Sequence, residues 1–306
     1  MILAAAAVLA LSVAPDPGPS PQAGQDPPAT RQVAPTELDE VVVRGRLEEQ
    51  VQAFVGEIAA DAAPRGQFLA AWRDRVCPAV VNLEVTLAQA VLDRISTVAA
   101  ELDVPTGDPG CDPNVVIVFT RDGAALASAM VEREPNVFRH PNVNSLNRPA
   151  GDLAYFTGAE APVRWWHLSM PVSTGSGRRV VRLPGEGSLI IGGDGRLNVD
   201  VADVLYKVII VVDVDQMNGV QLPQLADYLA MVSLAQIDPR AEVGDFPTVL
   251  NVFRRPTVAG LTDWDQSYLR GLYESASRRR NPESRNDDVA RVMLRDQRQA
   301  AETVGE

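Results

Sequence analysis

Histidine is almost missing from this sequence. Its 306 residues hold two, His140 and His167, and neither has a partner at metal-ligand spacing. The local sequence therefore offers no zinc or other metal site, and no cofactor is expected. Long apolar runs are missing too: the run from Ile2 to Ala14 is too short to cross a bilayer as a helix, which takes about 20 residues. Basic charge is in deficit, with 28 Lys and Arg against 40 Asp and Glu and a formal net charge of -12. Such a surface repels phosphate backbones and argues against nucleic acid as a partner. No Gly-x-Ser-x-Gly elbow, Gly-x-Gly-x-x-Gly turn or phosphate loop appears. Aromatics make up only 5%, yet 46% of the chain is hydrophobic and 22% charged, an ordinary globular composition with enough length for a sizeable core.

The chain opens with features of export. Residues 1–14 form a signal-like apolar segment, although no Lys or Arg precedes it and Pro15 disfavours cleavage directly after Ala14. No cysteine follows, so a lipid anchor is not expected. Residues 15–36 carry seven prolines among Gly, Ser, Gln and Asp and read as an extended spacer. The processed chain is then periplasmic or secreted and not membrane-spanning. Cys77 and Cys111 are the only thiols. In an exported protein an even pair reads first as a disulfide, stabilising the fold by about 3–4 kcal/mol; two buried thiols or half a metal site are the alternatives.

From residue 37 the pattern alternates helices and strands without repeats. Glu37–Val43 reads as strand-forming. Leu47, Val51, Phe54, Val55, Ile58 and Ala62 share one helical face, as do Leu87, Val91, Ile95, Val98 and Leu102. Residues 114–120 form a short β-branched strand, and Asp122 is placed to cap a helix running to about Glu134. Strands are expected over 153–157, 163–170, 179–183, 187–192 and 206–214, the last central to the sheet. A helix from about Leu222 to Gln236 buries Leu222, Leu225, Leu229 and Val232, with Gln224 and Asp227 elsewhere on its surface. Thr262 heads another helix with Asp265 three positions on. The charged stretch 288–302 reads as a solvated helix, and Arg278–Arg280 as a solvated helix end.

The order in the C-terminal half carries a resemblance. A strand ending in Asp213-Val214-Asp215 leads into Gln221-Leu222-Pro223-Gln224-Leu225-Ala226-Asp227-Tyr228-Leu229-Ala230-Met231-Val232-Ser233-Leu234. Pro247–Phe253 and Leu261-Thr262-Asp263-Trp264-Asp265 through Leu272-Tyr273 follow. This layout resembles that of zincin metallopeptidases of the metzincin-like kind. It is also similar to a family of exported bacterial proteins of unknown function. The likeness covers about residues 80–275. It implies an α+β fold in which a mixed sheet packs with helices: one main domain over residues 37–276, followed by a charged C-terminal helix or tail at 277–306. Carried over residue by residue onto a His-Glu-x-x-His-x-x-Gly-Leu helix, Ala226 stands at the first histidine and Asp227 at the glutamate. Ala230 stands at the second histidine, Ser233 at the glycine and Leu234 at the leucine. Alanine has no lone pair to offer a metal, so the resemblance implies the fold without the zinc chemistry.

Other residues carry groups suited to chemistry. Asp213 and Asp215 end the central strand, where sites often form; with Asp227 they make the alternative site of a hydrolase, while capping of the turn is the plainer role for Asp213. Asp194, Asn198, Asp200 and Asp203 surround a Gly-rich turn, but Arg196 stands where a calcium loop wants a ligand. Trp165 and Trp166 are successive strand residues, so one can point outward and offer a surface to a glycan or an envelope protein, although a bulky strand residue under a loop is the commoner arrangement. The expectation is an exported, metal-free binding or structural module of the cell envelope, more a pseudoenzyme than an enzyme.

Overall fold

The structure is a computed structural model, and it describes residues 37–59, 69–139, 148, 150–183, 187–190, 201–276 and 282–304. The signal-like segment, the spacer, His140, the Asp194–Asp200 turn and Arg278–Arg280 lie outside the described residues. The chain divides into two units, Met1–Val41 and Val42–Glu306. The first contributes only the opening residues of α1 (Glu37–Ala59) to the description, and the second holds everything that follows.

The second unit is α+β. After α1 come β1 (Pro78–Val81), α2 (Val85–Glu101), β2 (Val115–Thr120), α3 (Gly123–Arg133), α4 (Pro135–Phe138) and α5 (Ala150–Gly158). Then follow β3 (Val163–Ser173), β4 (Val180–Leu183), β5 (Gly187–Ile190), β6 (Val201–Asp213), α6 (Leu222–Leu234), α7 (Asp263–Ala276) and α8 (Pro282–Val304). Four strands form a mixed sheet in the order β1-β2-β6-β3, with β1, β2 and β6 parallel and β3 antiparallel at the edge. β4 and β5 pair as a separate antiparallel ribbon.

β6 is central because its second half is apolar without interruption, as a strand covered on both faces must be. Val208, Ile210 and Val212 enter the main core with α1, α2, α6, α7 and α8, and Ile209 and Val211 enter a second cluster with Ala127, Phe138 and Phe156. Lys207 pairs with Leu168 but Leu205 with Ser169, which leaves Tyr206 as an extra, bulged residue. Pro171 sits on the edge strand β3, where a missing N–H costs no ladder bond.

Local signals held where a side chain caps its own helix. Asp122 accepts from Ala125 N at 2.8 Å. Thr262 and Asp265 exchange bonds at 2.9 and 3.2 Å. Buried Asp265 also takes the Thr248 hydroxyl and the Val249 N–H, while burial pushes its carboxyl pKa up.

Four expectations need correction. Residues 153–157 belong to helix α5, which Phe156 pins to Trp166 at 5.8 Å between ring centroids. Glu37–Val43 begins α1 and forms no strand. The charged stretch 288–302 is amphipathic: Val289, Ala290 and Met293 are buried in the main core, and Gly271 of α7 would clash with Val289 if it carried a Cβ. Leu87, expected in the buried stripe of α2, is 42% exposed in its first turn.

Candidate functional site

The helix that the resemblance points to is the axis of the core. α6 starts with Pro223 in its first turn, and Gln224 accepts from Gln221 N at 2.8 Å. Leu225, Leu229 and Val232 are buried as expected, Leu222 is half-buried, and Gln224 and Asp227 stay off the buried stripe. Burial extends further round than one stripe. Ala226 and Ala230 are also enclosed, at 3% and 0% exposure. Asp227, at the glutamate position, forms an ion pair with Arg94 of α2 and accepts from Leu261 N at 3.0 Å. Gly260 lets that loop approach: a Cβ there would run into the Asp227 carboxylate.

The other end of α6 is fastened by side chains. A helix leaves its last four carbonyls without internal partners. Here Met231 O takes Ala235 N at 3.0 Å, Val232 O takes His167 Nε2–H at 2.7 Å, Ser233 O takes the Trp72 indole at 2.8 Å and Leu234 O takes the Tyr273 hydroxyl at 2.8 Å. Burial holds His167 neutral by pushing its pKa down to about 3.

No known family, curated protein or solved structure matches this chain.

The carboxylates named from sequence are placed in two settings. Asp213 ends β6 and accepts from Gly123 N at 3.1 Å, Asp215 N at 3.2 Å and Gln216 Nε2 at 2.8 Å. It therefore caps the turn, as its plainer reading had it. Buried Arg164 donates to the carbonyls of Phe156, Ala159 and Ala161 nearby; burial pushes its pKa down while Asp213 and Asp122 push it up. Asp215 is exposed, and Asp227 has the separate partners described above. Among the described residues, no three His, Cys, Asp or Glu side chains gather to hold a metal ion.

The tryptophan pair is corrected most sharply. Trp165 is 6% and Trp166 3% exposed. They do point to opposite faces, but both faces are covered. Trp165 stacks edge-on to Tyr228 and donates to Ile237 O at 3.1 Å. Trp166 packs between Phe138 and Phe156 beneath the Arg148 guanidinium, 5.5 Å from its ring centroid. Arg148, Asp152, Arg240 and Asp238 continue from there as an ion-pair chain. The pair offers no surface to a glycan or protein.

Concavity lies elsewhere. A cleft of about 650 Å³ opens among the end of α2, the turn after it, the segment around Trp72, the start of β6 and the last turns of α7. Asp203, which the sequence places beside the Gly-rich turn that makes a poor calcium loop, lies in its wall. Two bonds from Val76, to Pro105 O and from Gly107 N, both 2.8 Å, hold the turn that forms one lip. The Cys77–Cys111 disulfide, with Cα atoms 6.1 Å apart, staples the same turn. A Cβ on Gly107 would run into Cys111 Sγ, so this glycine is what lets the bridge close. Sequence reasoning saw the turn and the cysteines but missed the cleft, whose residues are scattered from Ala71 to Glu274.

Proposed function

We propose that this chain is a binding protein: an exported, metal-free relative of the zincin peptidases, in which the former catalytic helix has become a structural axis and the ligand is taken in the cleft at its far end. The observation that carries this reading is the state of the helix. At both histidine positions stands an alanine closed into the core, and at the glutamate position an aspartate committed to Arg94 and Leu261 N. A catalytic zinc needs three protein ligands and an open position for water. The disulfide supports an oxidising compartment, and no described helix is long and apolar enough to cross a membrane.

The test joins two measurements on protein purified without added metal. Zinc content should be well below stoichiometric, and peptide hydrolysis should be no higher with zinc than with chelator. Stoichiometric zinc with chelator-sensitive cleavage overturns the reading.

A further inference from the structure

The cleft has an uneven charge inventory once its committed groups are set aside. Arg270 is paired with Asp296 at 2.8 Å and Glu274 with Arg295 at 3.2 Å. Asp203 lies in the field of buried Arg285, whose pKa burial pushes down to about 10 while Asp203 pushes it up. Three charged side chains remain. Among the described residues, Arg73 donates only to Thr174 O, at 3.3 Å, and meets no carboxylate. Glu101 and Asp103, at the end of α2 and just past it, make no ion pair with a described residue, Arg73 included. Their position is electrostatically adverse. α2 has no basic residue in its last turn, and two carboxylates stand at the end where the helix dipole is already negative. A cationic group placed there relieves both.

The surface between the charges is apolar and rigid. The Trp72 and Tyr273 rings are tied to successive carbonyls of α6, and Leu102, Val104 and Pro105 stand on the lip held by the disulfide. A volume of about 650 Å³ falls within the ordinary range for small-ligand sites and has room for several amino-acid residues.

We propose that this cleft binds a zwitterionic ligand of short-peptide size, its ammonium received by Glu101 and Asp103, its carboxylate by Arg73 and its apolar body by the ring-lined floor. This site is separate from the metal helix of the zincin resemblance, and the proposal rests on the reading of the chain as a binding protein.

Calorimetric titration of the full chain with trileucine bearing free termini, with its N-acetylated form and with its C-amidated form tests each charge in turn. Blocking either end should weaken binding by about tenfold or more. Arg73→Gln should abolish the penalty for the amide but keep that for the acetyl group. Asp103→Asn combined with Glu101→Gln should do the reverse. Asparagine tolerates the left-handed backbone that Asp103 adopts at φ 57°, and all three side chains reach solvent, so these variants should fold. Equal affinity for the three probes, or no heat with any of them, overturns the zwitterion proposal. Cleavage of trileucine during the titration, followed chromatographically, instead overturns the reading of the chain as a binding protein. Intact but unbound trileucine overturns the ligand assignment alone.

Discussion

The first turns of α6 and its last turn have opposite fates. At 226 and 230, where the resemblance would place histidines, stand alanines closed in by packing. At 231–234, backbone carbonyls are the functional atoms, and they fix a histidine, a tryptophan and a tyrosine drawn from distant parts of the chain. The difference shows that one helix can serve packing along its length and fastening at its end. Chemistry needs particular side chains at particular positions, whereas organisation of a core needs apolar surface and a satisfied helix end.

Introducing histidines is the harshest test of this contrast. Ala226→His with Ala230→His should not create a metal site. Each imidazole must enter a filled core, adding overpacking to the burial of an unpaired polar group. We expect a loss on the order of 5 kcal/mol in urea unfolding for the double variant. Native-like stability with stoichiometric zinc uptake would show that the first turns of α6 still enclose a usable cavity.

Removal of the disulfide should come next. Cys77→Ser with Cys111→Ser frees the turn that forms the lip of the cleft and should cost about 3 kcal/mol. Hydrogen exchange should rise first over residues 102–111, with α6 unaffected. Uniform loosening of both regions would mean that the lip and the helix are not separate units of stability.

His167 sharpens the comparison through pH. Its folded pKa, held at about 3 by burial with Arg148 adding to the effect, lies below the ordinary value of 6.5. Between these values the unfolded chain binds a proton that the folded chain refuses. The contribution of His167 is therefore fully present above pH 6.5 and is lost as pH falls towards 3. From pH 6.5 to 5, the stability of the wild type should drop faster than that of His167→Gln by about 1 kcal/mol per pH unit. Parallel curves would place the ring in contact with water.

Much of this fold could be read from local sequence, and its limits have physical causes. The Asp122 cap and the Thr262–Asp265 box were legible because each partner lies within a few residues of the other. The buried strand 206–214 and the stripe on α6 were legible because burial imposes a period. Residues 153–157 misled because α5 is held by Phe156 against Trp166, a contact outside any local window. The tryptophan pair misled for a related reason: alternation tells which face each ring takes, but not that α5 and α6 cover both faces. The α8 stretch looked solvated because its charges outnumber a narrow apolar stripe that α7 buries. At the candidate site, the helix 222–234 and the stripe it buries were legible. The cleft was not, because its charged walls come from four separate segments.

The smallest expected effect separates the two ends of α6 at single-atom level. Tyr273→Phe removes one hydroxyl and leaves Leu234 O without its 2.8 Å partner. Asp227→Asn removes one charge and weakens the contact with Arg94, a pair with side chains 15% and 34% exposed. Each should cost about 1 kcal/mol, the first through an unpaired carbonyl and the second through a partly screened ion pair. Their consequences for binding should differ although their stabilities match. Tyr273 lines the cleft, and its ring direction is set by that hydroxyl, so Tyr273→Phe should weaken a cleft ligand several-fold. Asp227 lies on the α2 side of the helix and should leave affinity unchanged. If Asp227→Asn weakens the ligand as much as Tyr273→Phe does, the division between an inert first half and a site-organising last turn fails, and α6 acts as one unit.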